Sequence, residues 1–99
     1  MVVWSKPARD DLKAIHDFIK KDSIFYAKKV SDDIIEKSEL LEQFPQMGRV
    51  VPEINKTDIR ELFVYSYRMI YEISGKNVNI LTLVHFAQDF KNKKKTKRI

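Results

Sequence analysis

Apolar residues along this chain recur at one of two periods, and the period changes once. In the first half Ala8, Leu12, Ile15 and Ile19 return at spacings of four, three and four, with Phe18 widening the stripe. That rhythm puts them on one side of a 3.6-residue turn and predicts an amphipathic helix of about 15 residues. Ser5 offers its cap, Pro7 suits its first turn, and Asp10 and Asp11 lie toward its positive end. Upstream, the β-prone VVWS at 2–5 predicts a short first strand. Asp22 and Ser23 interrupt the stripe and supply a second cap. A longer helix follows, with Ala27, Val30, Ile34, Leu41 and Phe44 on one face and Ile24, Ile35 and Leu40 at its margins; Pro45 is expected to end it. So short a connection between two amphipathic helices predicts an antiparallel hairpin.

Residues 45–58, PQMGRVVPEINKTD, carry two prolines and one of the chain's two glycines. They predict a long ordered loop with a brief strand at Val50–Val51, and loops of this length in compact domains often carry function. Beyond them the period drops to two. Three strands are expected, at about 59–65, 67–74 and 77–86, with Ser74-Gly75-Lys76-Asn77 turning between the last two. A simple four-residue turn sets Ile73 opposite Val78, Tyr71 opposite Ile80 and Tyr67 opposite Val84. It also puts Arg68, Ile70 and Glu72 on the other face with Leu81, Leu83 and His85, unless a one-residue bulge shifts the register. Strand, helix, helix and antiparallel meander together predict a two-layer α+β domain, its helical hairpin packed on one face of a small sheet.

The 99 residues suit one domain, expected over 1–90, which buries roughly 65% of its unfolded surface. The chain has no cysteine, which excludes disulfides and thiolate metal sites and fits a reducing cytoplasm. No apolar run approaches the ~18 residues that span a bilayer, and MVVWSKPARDD lacks a signal-peptide layout, so a soluble, cytoplasmic chain with no membrane partner is expected. The formal charge of +5 is unevenly placed. Segment 91–98, KNKKKTKR, holds six basic residues and no acid, leaving 13 basic against 14 acidic residues elsewhere. A nearly neutral body thus carries a basic tail over 91–99, either solvated or in contact with nucleic acid or an acidic protein.

The chemistry that merits weighing centres on Arg68 and His85, which the simple register places on one face. Cleaving RNA through its 2′-hydroxyl takes a base, a cation at the phosphate and an acid for the leaving oxygen. Arg68 has the planar, permanently charged fork for the phosphate, and His85 titrates near neutrality. Glu53, in the long loop, is the carboxylate candidate for a base. Arg49, Arg60 and the tail cations Lys93, Lys94, Lys95, Lys97 and Arg98 are candidates for binding a target or flanking phosphates. Each has a plainer role. Arg68 can pair with Glu61 or Glu72 across the sheet. His85 can be a structural histidine at a strand end, Arg49 an anchor for the loop through backbone carbonyls, and Glu53 a solvated or capping residue. His16 and His85 lack ligand spacing, so no metal site is expected. Serine-hydrolase, P-loop and dinucleotide motifs are absent.

Several segments, taken in order, carry a resemblance. They are W-S-x-x-A-x-x-D-L at Trp4–Leu12, I-x-x-F-I at Ile15–Ile19 and F-P-x-M-G-R at Phe44–Arg49 with Pro52-Glu53 after it. Next come R-E-L at Arg60–Leu62, Y-R-x-I-Y at Tyr67–Tyr71 and I-L-x-x-x-H at Ile80–His85. Together they resemble the RelE/ParE superfamily of bacterial toxins from type II toxin–antitoxin pairs, and its ParE-like, plasmid-stabilisation branch in particular. The resemblance implies a small cofactor-free toxin held inactive by a cognate antitoxin. ParE-like members block DNA gyrase by protein–protein binding, whereas RelE-like members cleave messenger RNA in the ribosomal A site. The chain departs from the ParE pattern after His85, where Phe86-Ala87-Gln88-Asp89 stands in place of glycine and arginines. Phe86 also stands where some nucleases of the superfamily carry tyrosine. The expectation is a gyrase inhibitor rather than an enzyme. The alternatives are a ribosome-dependent mRNA interferase using Arg68, His85 and Glu53, and a degenerate module that binds antitoxin without toxicity.

Overall fold

The computed structural model describes residues 1–86. The chain runs β1 (Val2–Trp4), α1 (Lys6–Lys20), α2 (Ile24–Leu40), β2 (Arg49–Val50), β3 (Ile59–Val64), β4 (Tyr67–Ser74) and β5 (Asn77–His85). Ser5 caps α1 by accepting from the Ala8 amide at 3.1 Å, and its hydroxyl also donates to the Leu81 carbonyl at 2.9 Å. One side chain therefore starts the helix and pins it to the sheet. Asp11 faces inward, beyond the first turn: its Oδ2 accepts from Thr82 Oγ1 at 2.5 Å and from the Leu83 amide at 3.1 Å. It tethers α1 to β5 instead of serving the helix dipole. Ser23 caps α2 through the Tyr26 amide at 3.0 Å, so the hairpin turn needs only Lys21, Asp22 and Ser23.

The second helix stops before Pro45. Bonds from the amides of Leu41, Glu42 and Gln43 to carbonyls three residues back tighten the chain into turns. Phe44 precedes a proline, a position that disfavours the helical region. Its ring lies 56% exposed outside the core to which the stripe assigned it, and Leu41 makes the last buried contact of the stripe.

All strands join one sheet in the order β1-β5-β4-β3-β2. The predicted meander is there, and β1 adds to it as a parallel neighbour of β5, with Val2 opposite Val78 and Trp4 opposite Ile80. Gly75, at φ +59°, supplies the left-handed residue of the β4–β5 turn. The register matches expectation through Ile73–Val78 and Tyr71–Ile80, then slips by one residue at Ile70/Tyr71. Beyond this bulge Tyr67 faces His85 and Arg68 faces Val84. The expected shared face of Arg68 and His85 is thereby overturned: the extra residue moves His85 to the face of Tyr67, opposite that of Arg68.

The sheet is covered on both sides. Ala8, Ile15, Val30, Ile34 and Leu41 from the hairpin pack on Met69, Tyr71, Ile80 and Leu83. On the other side the long loop lies down as a strap, where Val51, with Ile54, packs on Ile70 and Val84. Each valine, leucine, isoleucine or methionine among these contributes about 1.5–3 kcal/mol on leaving water.

Candidate functional site

The strap is fastened around Tyr71. Its hydroxyl donates to the Pro45 carbonyl at 2.7 Å and accepts from the Gly48 amide at 2.9 Å. Burial raises the Tyr71 pKa, with the Gly48 amide and Arg60 opposing the rise. Gly48 has no room for a side chain, because a Cβ there would lie 2.4 Å from the Glu61 carbonyl oxygen and 2.7 Å from Tyr71 Oη. Arg60 holds the same segment through carbonyls: Nη1 to Gly48 at 2.9 Å and Nε to Thr57 at 3.0 Å. Carbonyl anchoring, expected of Arg49, is thus the work of Arg60.

Glu61 is the hub of the strap-side face. It stands opposite Arg49 in the β2–β3 register and diagonal to Arg68 on β4. Its fully buried carboxylate receives Arg49 Nε on Oε2 at 2.5 Å and Arg68 on Oε1, from Nε at 2.7 Å and from Nη2 at 2.5 Å. Glu53 descends from the strap and accepts Arg68 Nη1 at 3.0 Å and Nη2 at 2.9 Å. All three guanidinium nitrogens of Arg68 are therefore engaged by two carboxylates. Burial works to lower the Arg68 pKa, but the bonds to Glu53 and Glu61 outweigh it, and the net shift is upward. Its charge is permanent and already neutralised.

The cross-strand pairing of Arg68 with Glu61 is present, and Glu53 is its second partner, not a solvated or capping residue. A phosphate reaching Arg68 has to displace a carboxylate from a side chain only 8% exposed. Arg49 differs: its side chain is 63% exposed, and its guanidinium lies 5.5 Å from the Phe63 ring centroid. His85 lies outside this network. Its ring meets Tyr67 edge-on at 5.9 Å and Phe86 at 5.0 Å. The candidates for the nuclease alternative thus divide between a neutralised ion cluster, Arg68 with Glu53, and His85 on the opposite face beside Tyr67 and Phe86. Lys93, Lys94, Lys95, Lys97 and Arg98 lie outside the described residues.

Among those described, no three histidine or carboxylate side chains gather as a metal cage. Among the described residues no helix is long and apolar enough to cross a membrane. A groove of about 430 Å³ runs between α2 and β3, lined by Leu40, Phe63, Val64 and Tyr65 with Asp33, Glu36 and Lys37 at its polar edge. Tyr65, left-handed at φ +55°, closes one end with its hydroxyl on Asp33.

The profile of the family described as the ParE toxin of the type II toxin-antitoxin system, parDE, matches residues 2–90. The chain belongs to the ParE toxin family. A solved structure, a chain of the chromosomal ParDE TA system from P. aeruginosa, is 25% identical and superposes with a TM-score of 0.71 over 85% of this chain and 92% of that one. No curated protein matches. The α+β hairpin-on-sheet architecture is therefore that of a ParE-family toxin, as the ordered motifs implied.

Two features of this ParE-family chain escaped the sequence reading. Glu61 entered it only as a pairing option, although alternation of Arg49, Glu61 and Arg68 across three strands is what a hub requires. The Tyr71 hydroxyl gave no signal, because the carbonyl and amide it bonds belong to a loop 23–26 residues away.

Proposed function

We propose that this ParE-family toxin poisons DNA gyrase by protein–protein binding and is held inactive by a cognate antitoxin. The engagement of every Arg68 nitrogen by Glu53 and Glu61, with His85 on the other face, carries this reading. It removes the phosphate clamp and separates the acid–base group from it, which favours binding over RNA cleavage as the mode of action. Contact with the target falls to Arg49, whose guanidinium remains accessible, and to the tail cations. Arg60 and Arg68 support it by fixing the strap. The α2–β3 groove, with its apolar floor and mixed polar edge, suits an amphipathic helix of the antitoxin.

Induction without antitoxin, following plasmid supercoiling and message integrity in parallel, tests the proposal. Supercoiling is expected to fall while messages stay intact, and co-expressed antitoxin to restore growth. His85→Ala is expected to remain toxic. Early cleavage of translated messages with supercoiling preserved overturns the reading in favour of an mRNA interferase.

A further inference from the structure

Arg49 and Arg68 share the Glu61 carboxylate and use it differently. Arg68 gives every nitrogen of its guanidinium to Glu61 or Glu53 and is buried. Arg49 gives Glu61 one N–H, from Nε at 2.5 Å, and its side chain stays largely exposed. Its terminal nitrogens, Nη1 and Nη2, have no hydrogen-bond partner among the described residues. A guanidinium holds its donors in a rigid planar fork, so with Nε engaged the end carrying both terminal nitrogens is left over. β2 is the outermost strand of the sheet, and no further strand lies beyond Arg49.

That open end is held from two sides. Glu61 is fully buried and is fixed in turn by Arg68, which makes it a rigid anchor for Nε. Phe63 lies two residues along β3 from Glu61, on the same face, and Arg49 Cζ stands over its ring at 5.5 Å from the centroid. A long side chain already held in place loses little freedom when it meets a ligand. Arg9 and Arg60, by contrast, bond backbone carbonyls.

Two parallel N–H groups match the two oxygens of one acid group, a carboxylate or a phosphate. Charge selects between them. The four groups of the cluster cancel, two arginines against two glutamates, so no net positive charge draws a nucleic-acid backbone to this face. A single carboxylate needs only the open end of the fork.

We infer that Arg49 is a pre-oriented carboxylate receptor, whose Nη1–Nη2 end takes an acidic side chain of the toxin's protein target in a two-point pair. Glu61 and Phe63 are positioning residues that act through it. This rests on the reading that the protein acts by binding gyrase.

The test uses Arg49→Lys, Arg49→Gln, Phe63→Leu and the double variant Arg49→Gln/Phe63→Leu beside the wild-type chain. Each is assayed for inhibition of purified gyrase, for binding to gyrase with no DNA present, for growth arrest, for thermal midpoint and for antitoxin affinity. Arg49→Gln should lose inhibition by roughly a hundredfold, the scale of a charged partner left unpaired at an interface. Arg49→Lys keeps the charge without the fork and should lose roughly tenfold, the scale of one hydrogen bond to a charged group. Phe63→Leu should lose about threefold through the missing ring contact. It should cost nothing further once Arg49 is replaced, because a positioning residue acts only through the group it positions. Binding without DNA should fall by the same factors.

Undiminished inhibition by Arg49→Gln at an unchanged midpoint overturns the receptor and leaves the gyrase reading intact. If Arg49→Gln lowers the midpoint, Arg49→Lys decides, since it keeps a cation beside Glu61, and full potency there overturns the two-point pair. An equal Phe63→Leu loss in both backgrounds overturns the positioning role. A loss seen only with DNA bound assigns the anion to phosphate, and lost antitoxin affinity with inhibition retained assigns the carboxylate to the antitoxin; either overturns the proposal. A wild-type chain that arrests growth without inhibiting gyrase overturns the target instead, and growth arrest by the variants then decides the receptor. A wild-type chain that does neither overturns both.

Discussion

The two faces of the sheet are built from alternate residues of the same strands and hold together by different physics. Facing the helices, Met69, Tyr71, Ile80 and Leu83 meet apolar side chains, and polar atoms there, such as those of Asp11 and Thr82, are paired. Facing the strap, Ile70 and Val84 give a small dry patch beside an ion cluster of Arg49, Glu61, Arg68 and Glu53. The first face tolerates volume-conserving change, because burial has no direction. The second does not tolerate removal of one partner, because the charge left behind stays buried. A face that looks like a catalytic cluster by composition is by geometry a fastening.

Glu61→Ala should break that contrast most sharply, costing about 3–5 kcal/mol by leaving two arginines without their common carboxylate. Urea denaturation measures it, and a loss below about 1 kcal/mol is incompatible with a buried ion hub. Ile34→Ala, on the helix side, should cost about 2–5 kcal/mol with little dependence on salt. Gly48→Ala comes next, at about 1–3 kcal/mol, because the new methyl collides with the Glu61 carbonyl and Tyr71 Oη. Tyr71→Phe should cost about 1–3 kcal/mol by orphaning the Gly48 amide and the Pro45 carbonyl. It should also change the alkaline limb. The folded-state pKa of Tyr71 is raised above its ordinary 10.0, so the neutral phenol stabilises the fold fully below pH 10.0. That contribution is lost as pH rises through the folded value, and the phenylalanine variant should lose stability less steeply there. The smallest effect belongs to Lys28→Ala, which removes an exposed ion pair and should leave the thermal midpoint unchanged.

Period and turn chemistry revealed most of the architecture. The three long strands fall within a residue of their expected bounds, and Ser5 and Ser23 both cap as their types suggest. The bulge at Ile70/Tyr71 was invisible, because alternation on either side of it reads as one continuous strand with a slip of one residue. That slip decided the candidate site, separating His85 from Arg68. The parallel partner of β1 was equally hidden, since a three-residue strand carries no pairing signal of its own. Among the arginines, residue type identified charge but not employment. Carbonyl contacts for Arg60 and carboxylates for Arg68 follow from where the strap lies, and the strap's path depends on contacts distant in sequence.

The position of β5 between β1 and β4 sets an order of events during synthesis. The opening strand has no neighbour until residues 77–85 emerge, and the Met1 ammonium bonds the carbonyl of Lys76, 75 residues downstream. Non-local closure of this kind comes late, after the loop entropy has been met. A nascent chain can assemble its helical hairpin early, yet it lacks the finished sheet on which Arg49 is displayed. Completion of the sheet is thereby deferred until β5 has been made.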